Sequence, residues 1–257
     1  DGTFENATTG DELNGRDHDQ YRVGFTWSPS DSVTVNGYWD HFEMENRWQM
    51  IDNFGLWGND PYADQVAVND QPSQEIDADL AVLKVSWDLS DSLSLTSNTG
   101  WYESGIIALP TDADTGDVPI VDFIEPWDLE QFSQEFRLNG STERLKWFIG
   151  ASYYNETATA VSRLTIYENP GLDVLFNDEG LCDVAAEFGL SCGVHEERSF
   201  AENETTSYAI YGDATYDIND RLSLTFGLRY TDEEKEMLLN TPLTDSTTTA
   251  LIGVVTG

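Results

Sequence analysis

Three groups of residues in this 257-residue chain have the types and spacing to do chemistry, and all lie in polar connections. Asp112, Asp114 and Asp117 stand close together in Asp112-Ala-Asp-Thr-Gly-Asp117, and carboxylates so spaced suit a hard cation such as Ca²⁺. The run lacks the full pattern of a calcium-binding loop, so a solvated acidic loop is the plainer reading. Trp48, Trp57 and Tyr62 are interspersed with Asp52, Asp60 and Asp64. Aromatic faces among carboxylates can grip a small ligand, or can serve only to pack a loop. Cys182 and Cys192 share one connection, and a local disulfide in an oxidising compartment is favoured over two free thiols.

No catalytic constellation emerges. His18, His41 and His195 are too scattered along the chain to share a metal, and they read as isolated polar histidines. Serine and aspartate are too frequent for any triad to stand out, so an enzyme is the least favoured class. Twelve basic residues against 48 acidic ones leave a net charge of −36, which repels a phosphate backbone and argues against nucleic-acid binding. No resident cofactor is expected beyond that candidate Ca²⁺. Apolar runs long enough for a membrane-crossing helix are missing. No signal peptide is expected either.

The elements that must carry these connections are strands. In Leu222-Ser-Leu-Thr-Phe-Gly-Leu-Arg-Tyr-Thr231, Leu222, Leu224, Phe226, Leu228 and Tyr230 alternate with Ser223, Thr225, Gly227, Arg229 and Thr231. Side chains on a strand alternate faces, so one face is apolar and the other small, polar or charged. The preceding arm, Tyr208 to Ile218, alternates in the same way, and Asn219-Asp220 turns one arm into the other. The unit recurs at Phe25–Val35 and Val85–Leu95, each with an Asp-Ser turn, and more loosely at Phe136–Trp147.

The expectation is an all-β chain, an antiparallel up-and-down meander of about eight long strands. They run near 20–27, 33–45, 76–88, 93–106, 129–139, 145–161, 205–218 and 222–237. Residues 1–19 read as loop, and a short helix near 182–188 fits the longest connection. Tight turns alternate with long connections at 46–74, 108–127 and 162–203, the pattern of an outer-membrane barrel with short periplasmic turns and long extracellular loops. Trp27 and Trp87 occupy equivalent places before their turns, as in an interfacial girdle. Two other readings stay open: a complete eight-stranded outer-membrane barrel acting as an adhesin or structural protein, and a secreted acidic β-sandwich that binds carbohydrate.

Four stretches resemble mid-barrel strands of TonB-dependent outer-membrane receptors, particularly those for iron-complex and siderophore uptake. They are Phe132-Ser-Gln-Glu-Phe-Arg-Leu138, Leu145-Lys-Trp-Phe-Ile-Gly-Ala-Ser-Tyr-Tyr-Asn-Glu156, Tyr208-Ala-Ile-Tyr-Gly-Asp-Ala-Thr-Tyr-Asp-Ile218 and Leu222–Lys235. The resemblance implies a barrel of about 22 strands around a plug domain. It further implies coupling to the TonB protein, a small-molecule or metal-chelate substrate, and contact with outer-membrane lipid and lipopolysaccharide. Against that pattern, residues 1–257 are expected to be part of the barrel alone, an arc of its wall without the plug.

Overall fold

The structure, a computed structural model, describes residues 4–7, 9–13, 15–47, 65–66, 73–108, 111–112, 119–167 and 193–241. Eight long strands form one antiparallel path: β3 (Arg16–Ser30), β4 (Val33–Arg47), β6 (Ser73–Ser90), β7 (Leu93–Ala108), β10 (Trp127–Ser141), β11 (Leu145–Tyr167), β12 (Val194–Asn219) and β13 (Leu222–Asn240). Among the described residues five short strands accompany them: β1 (Phe4–Asn6), β2 (Glu12–Leu13), β5 (Gln65–Val66), β8 (Thr111–Asp112) and β9 (Val121–Ile124). Each long strand pairs with its chain neighbour, and β3 and β13 stand at opposite ends of the path. Among the described residues the sheet therefore does not close at eight strands, and the complete small barrel is set aside. Nor do two large sheets face each other among the described residues, as a sandwich requires.

The described residues among 1–19 are not the loop their polarity suggests. Phe4 pairs with Leu13, Glu5 pairs in parallel with Gln65, and β3 already begins at Arg16. Leu13 and Asn6 are fully buried, so the amino-terminal segment is tied to the connection that follows β4. The expected helix near 182–188 lies outside the described residues.

The hairpin turns explain the repeated sequence. At Ser30, Ser90 and Asn219 the register slips just before the turn, a bulge that lets a short loop join strongly twisted strands. Asn219 Oδ1 accepts from the Arg221 amide at 3.0 Å, and Ser90 Oγ accepts from the Ser92 amide at 3.4 Å. Backbone bonds then lock turn to turn: the Asp88 amide donates to Ser32 O at 2.8 Å, Ser141 to Ser92 O at 2.9 Å, and Asp217 to Arg144 O at 2.8 Å.

The expected alternation holds in the part of each long strand nearest its tight turn, and it leaves the apolar side chains there uncovered. Phe25, Phe226, Leu228 and Tyr230 are 55%, 71%, 71% and 69% exposed. Burying a side chain of this kind is worth about 1.5–3 kcal/mol, so this face leaves tens of kcal/mol unrealised in water. A continuous apolar wall belongs against hydrocarbon. Polar groups within it are satisfied sideways: Gln134, between Phe132 and Phe136, accepts from Thr99 Oγ1 at 2.6 Å and donates to Ser97 Oγ at 2.9 Å.

Candidate functional site

The apolar face ends on a chemical boundary. Going away from the tight turns, the last apolar position before this face turns polar is Tyr21 on β3, Trp39 on β4, Trp101 on β7, Phe132 on β10, Tyr153 on β11, Tyr208 on β12 and Tyr230 on β13, with apolar side chains recurring farther out at Ile107, Val161, Val194 and Leu238. Only β6 departs, with Ala81 there. Register puts Trp39, Ala81, Trp101 and Phe132 side by side. Tyr153 lies 6.1 Å from Phe132 and 5.0 Å from Tyr208, centroid to centroid. Rings with one polar atom gather where an apolar layer meets water. Trp27 and Trp87, 60% and 47% exposed on the same face, mark the opposite boundary near the turns.

Beyond the aromatic line the same face turns acidic. Asp17, Asp19, Glu43, Glu45, Glu75, Asp77, Asp79, Glu103, Asp128 and Glu130 follow on β3 to β10, and Glu204, Asp232, Glu234 and Glu236 on β12 and β13. These fourteen carboxylates form a collar above the aromatic line. Farther along β12, the Arg198 guanidinium lies 2.6 Å from Glu196 and holds its carboxyl below the usual range.

The opposite face is built for polar contact. Arg22 lies 2.5 Å from Asp40, which also accepts from Gln20 Nε2 at 2.8 Å, and the Arg22 guanidinium sits 5.4 Å over the Tyr38 ring. Across β10 to β13 a second group forms a ladder. Arg137 sits 3.8 Å over Phe148, Phe148 meets Tyr211 edge-on at 6.1 Å, and Arg229 sits 5.2 Å over Tyr211. Asn98 Nδ2 donates to Glu135 at 3.3 Å beside it. Guanidinium groups stacked on rings are held in place yet keep donors free for carboxylate oxygens. Alternation placed Arg22, Arg137 and Arg229 on this face; only register brings Arg137 and Arg229 to the ends of one ladder.

The other expected site residues fall as follows. Asp112 lies on β8 with Asp122 of β9 as its strand partner, while Asp114 and Asp117 lie outside the described residues. Asp122 accepts from Tyr167 Oη at 2.8 Å. Trp48, Trp57, Tyr62, Cys182 and Cys192 lie outside the described residues as well. His18 faces the polar side, 6.4 Å from Phe42, and His195 takes part in β12 opposite Ile166. His41 is not isolated: Glu43 and Asp79 lie 3.2 and 3.1 Å from its ring nitrogens.

Comparison with known proteins agrees with this geometry. Residues 3–250 match the model of the family described as TonB dependent receptor-like, beta-barrel. The chain also superimposes on the ferric yersiniabactin uptake receptor FyuA from Yersinia pestis, with a TM-score of 0.64 and 13% identity. That match covers 93% of this chain and 37% of FyuA, and it shows a shared fold. OccK10 (OpdN) from Pseudomonas aeruginosa aligns over 90% of this chain and 96% of its own, at 8% identity, but a TM-score of 0.12 carries no argument.

Proposed function

The chain belongs to the TonB-dependent receptor-like β-barrel family, and from that premise we propose that it is a stretch of barrel wall in an outer-membrane active-transport receptor. The receptor would take up a scarce nutrient such as a ferric siderophore complex, driven by the TonB energy-coupling protein. One observation carries the reading. A single open antiparallel sheet has one face apolar as far as an aromatic line, while its other face carries paired arginines and rings. The first suits lipid and the second a hydrated lumen. FyuA, a structural neighbour, is named as a ferric yersiniabactin uptake receptor, which supports the substrate class.

In this reading the ligand meets the long connections first. Trp48, Trp57 and Tyr62 supply aromatic surface, and a Cys182–Cys192 disulfide shortens the freedom of the last connection. The Arg137–Phe148–Tyr211–Arg229 ladder then lines the passage. The test is uptake by the whole receptor that contains this chain, produced in a bacterium stripped of its own ferric-chelate receptors. Radiolabelled iron should enter when a panel of ferric chelates is offered, and entry should stop when the energy-coupling protein is deleted. Uptake indifferent to that deletion, or no uptake of any chelate, would overturn the proposal.

A further inference from the structure

On the outward face, just above the aromatic line, three side chains from two neighbouring strands converge. His41 Nε2 lies 3.2 Å from Glu43 Oε1 and 3.9 Å from Asp77 Oδ2, and the three ligand atoms fall within 4.8 Å of one another. Around Zn²⁺, donors at about 2.0–2.2 Å stand roughly 3.4 Å apart at the corners of a tetrahedron. The spacing therefore admits one small cation between them.

Two further features separate this group from an ordinary acidic surface. The imidazole is oriented from behind: Asp79 Oδ1 lies 3.1 Å from His41 Nδ1, and Trp39 Nε1 donates to the same oxygen at 2.8 Å. A carboxylate behind the histidine, itself fixed by another donor, is the usual support of a metal-ligating imidazole. His41 is also only 19% exposed, whereas Glu43 and Asp77 are 60% and 63% exposed. Its position is fixed by the sheet while the carboxylates can adjust.

The second feature is charge opposition. Glu43 stands directly opposite Asp77 on β6 and opposite Asp19 on β3. Like charges facing each other across strands are destabilising, and no lysine or arginine stands in that row or in the next row, which holds Tyr21, His41 and Asp79. A cation held there would turn repulsion between β4 and β6 into a link.

We propose that His41, Glu43 and Asp77 bind a divalent cation on the outer wall, with Asp79 positioning the histidine. One nitrogen and two carboxylate oxygens favour Zn²⁺ and its neighbours over Ca²⁺ or Mg²⁺, which take all-oxygen shells. Oxygen ligands from outside the chain complete the coordination.

The test uses the intact receptor that contains this chain, untagged, metal-stripped and folded in detergent, titrated calorimetrically with Zn²⁺. One saturable equivalent involving this site is expected. His41→Ala should weaken it by tenfold or more, and Asp79→Asn, which removes only the supporting charge, by about tenfold. Glu204→Gln combined with Glu236→Gln, far along the acidic face on β12 and β13, should leave affinity within twofold. Heat-modifiable electrophoretic mobility checks that each variant is folded. A wild-type receptor without a saturable site overturns the proposal and leaves His41 as a counter-charge alone. So does a double variant on the acidic face that loses as much affinity as His41→Ala.

Discussion

Tyr211 lies across Gly150, its direct partner on the neighbouring strand, so closely that a Cβ at Gly150 would come within 2.5 Å of the phenol ring. That opening lets Tyr211 lie down along the inner wall, where it meets Phe148 and Arg229. Gly150→Val should lift the ring, break the ladder and cost about 1–3 kcal/mol through overpacking. Urea unfolding of the intact receptor, with Gly150→Ala as the milder step, measures it. Equal stability of wild type and Gly150→Val would show that the ring moves aside freely.

The ladder has an energetic signature of its own. Arg137 sits closer to its ring than Arg229 does, at 3.8 Å against 5.2 Å. A double-mutant cycle of Arg137→Met and Phe148→Leu should therefore return a coupling of roughly 0.5–2 kcal/mol. The same cycle on Arg229 and Tyr211 should return less, because charge–quadrupole attraction falls steeply with distance. Coupling indistinguishable from zero at both pairs would reduce the ladder to side chains that share a face.

What could be read from the sequence follows the contrast between the two faces. In β13 the Leu222–Tyr230 run sets apolar against small and polar, so the strand and its inward face are plain. Past Tyr230 the contrast fades: Asp232, Glu234 and Glu236 continue one face while Glu233 and Lys235 continue the other. The strand nevertheless runs to Asn240, because β12 remains beside it to pair with. The short β1 and β2 carry no amphipathic signal and exist through partners, one of them on β5. The His41 group shows the same limit. Its ligands come from His-x-Glu on β4 and Asp-x-Asp on β6, and only the register Glu43 to Asp77 joins them. Two same-face polar pairs on adjacent strands were the available clue.

The apolar band makes a depth-dependent prediction. Phe226 lies midway between Leu222 and Tyr230 and is 71% exposed on the face assigned to lipid. Phe226→Arg should destabilise the receptor folded in bilayers by about 2–4 kcal/mol, whereas a charge near the band's edge costs roughly 0–1 kcal/mol. Thr225→Arg, one residue away on the polar face, should cost far less. Folded fractions in phospholipid vesicles, read by heat-modifiable mobility, separate the two. Equal losses from Phe226→Arg and Thr225→Arg would mean that both faces meet the same medium.

The acidic collar predicts a stabilising substitution. Glu103 is paired across the sheet with Asp79 on one side and Glu130 on the other, so it faces a carboxylate in both directions. Opposed like charges cost roughly 0.2–1 kcal/mol per pair, and salt screens exposed charges over about 10 Å at 0.1 M. Glu103→Gln should therefore raise the denaturation midpoint of the intact receptor at low ionic strength, and the gain should shrink toward zero in high salt. The expected sign rests on charge alone, since glutamine keeps the size and hydrogen-bonding reach of glutamate. A lowered midpoint at low salt would instead mean that Glu103 accepts a contact it needs, and the collar would then be a network of bonds rather than a field of repelling charges.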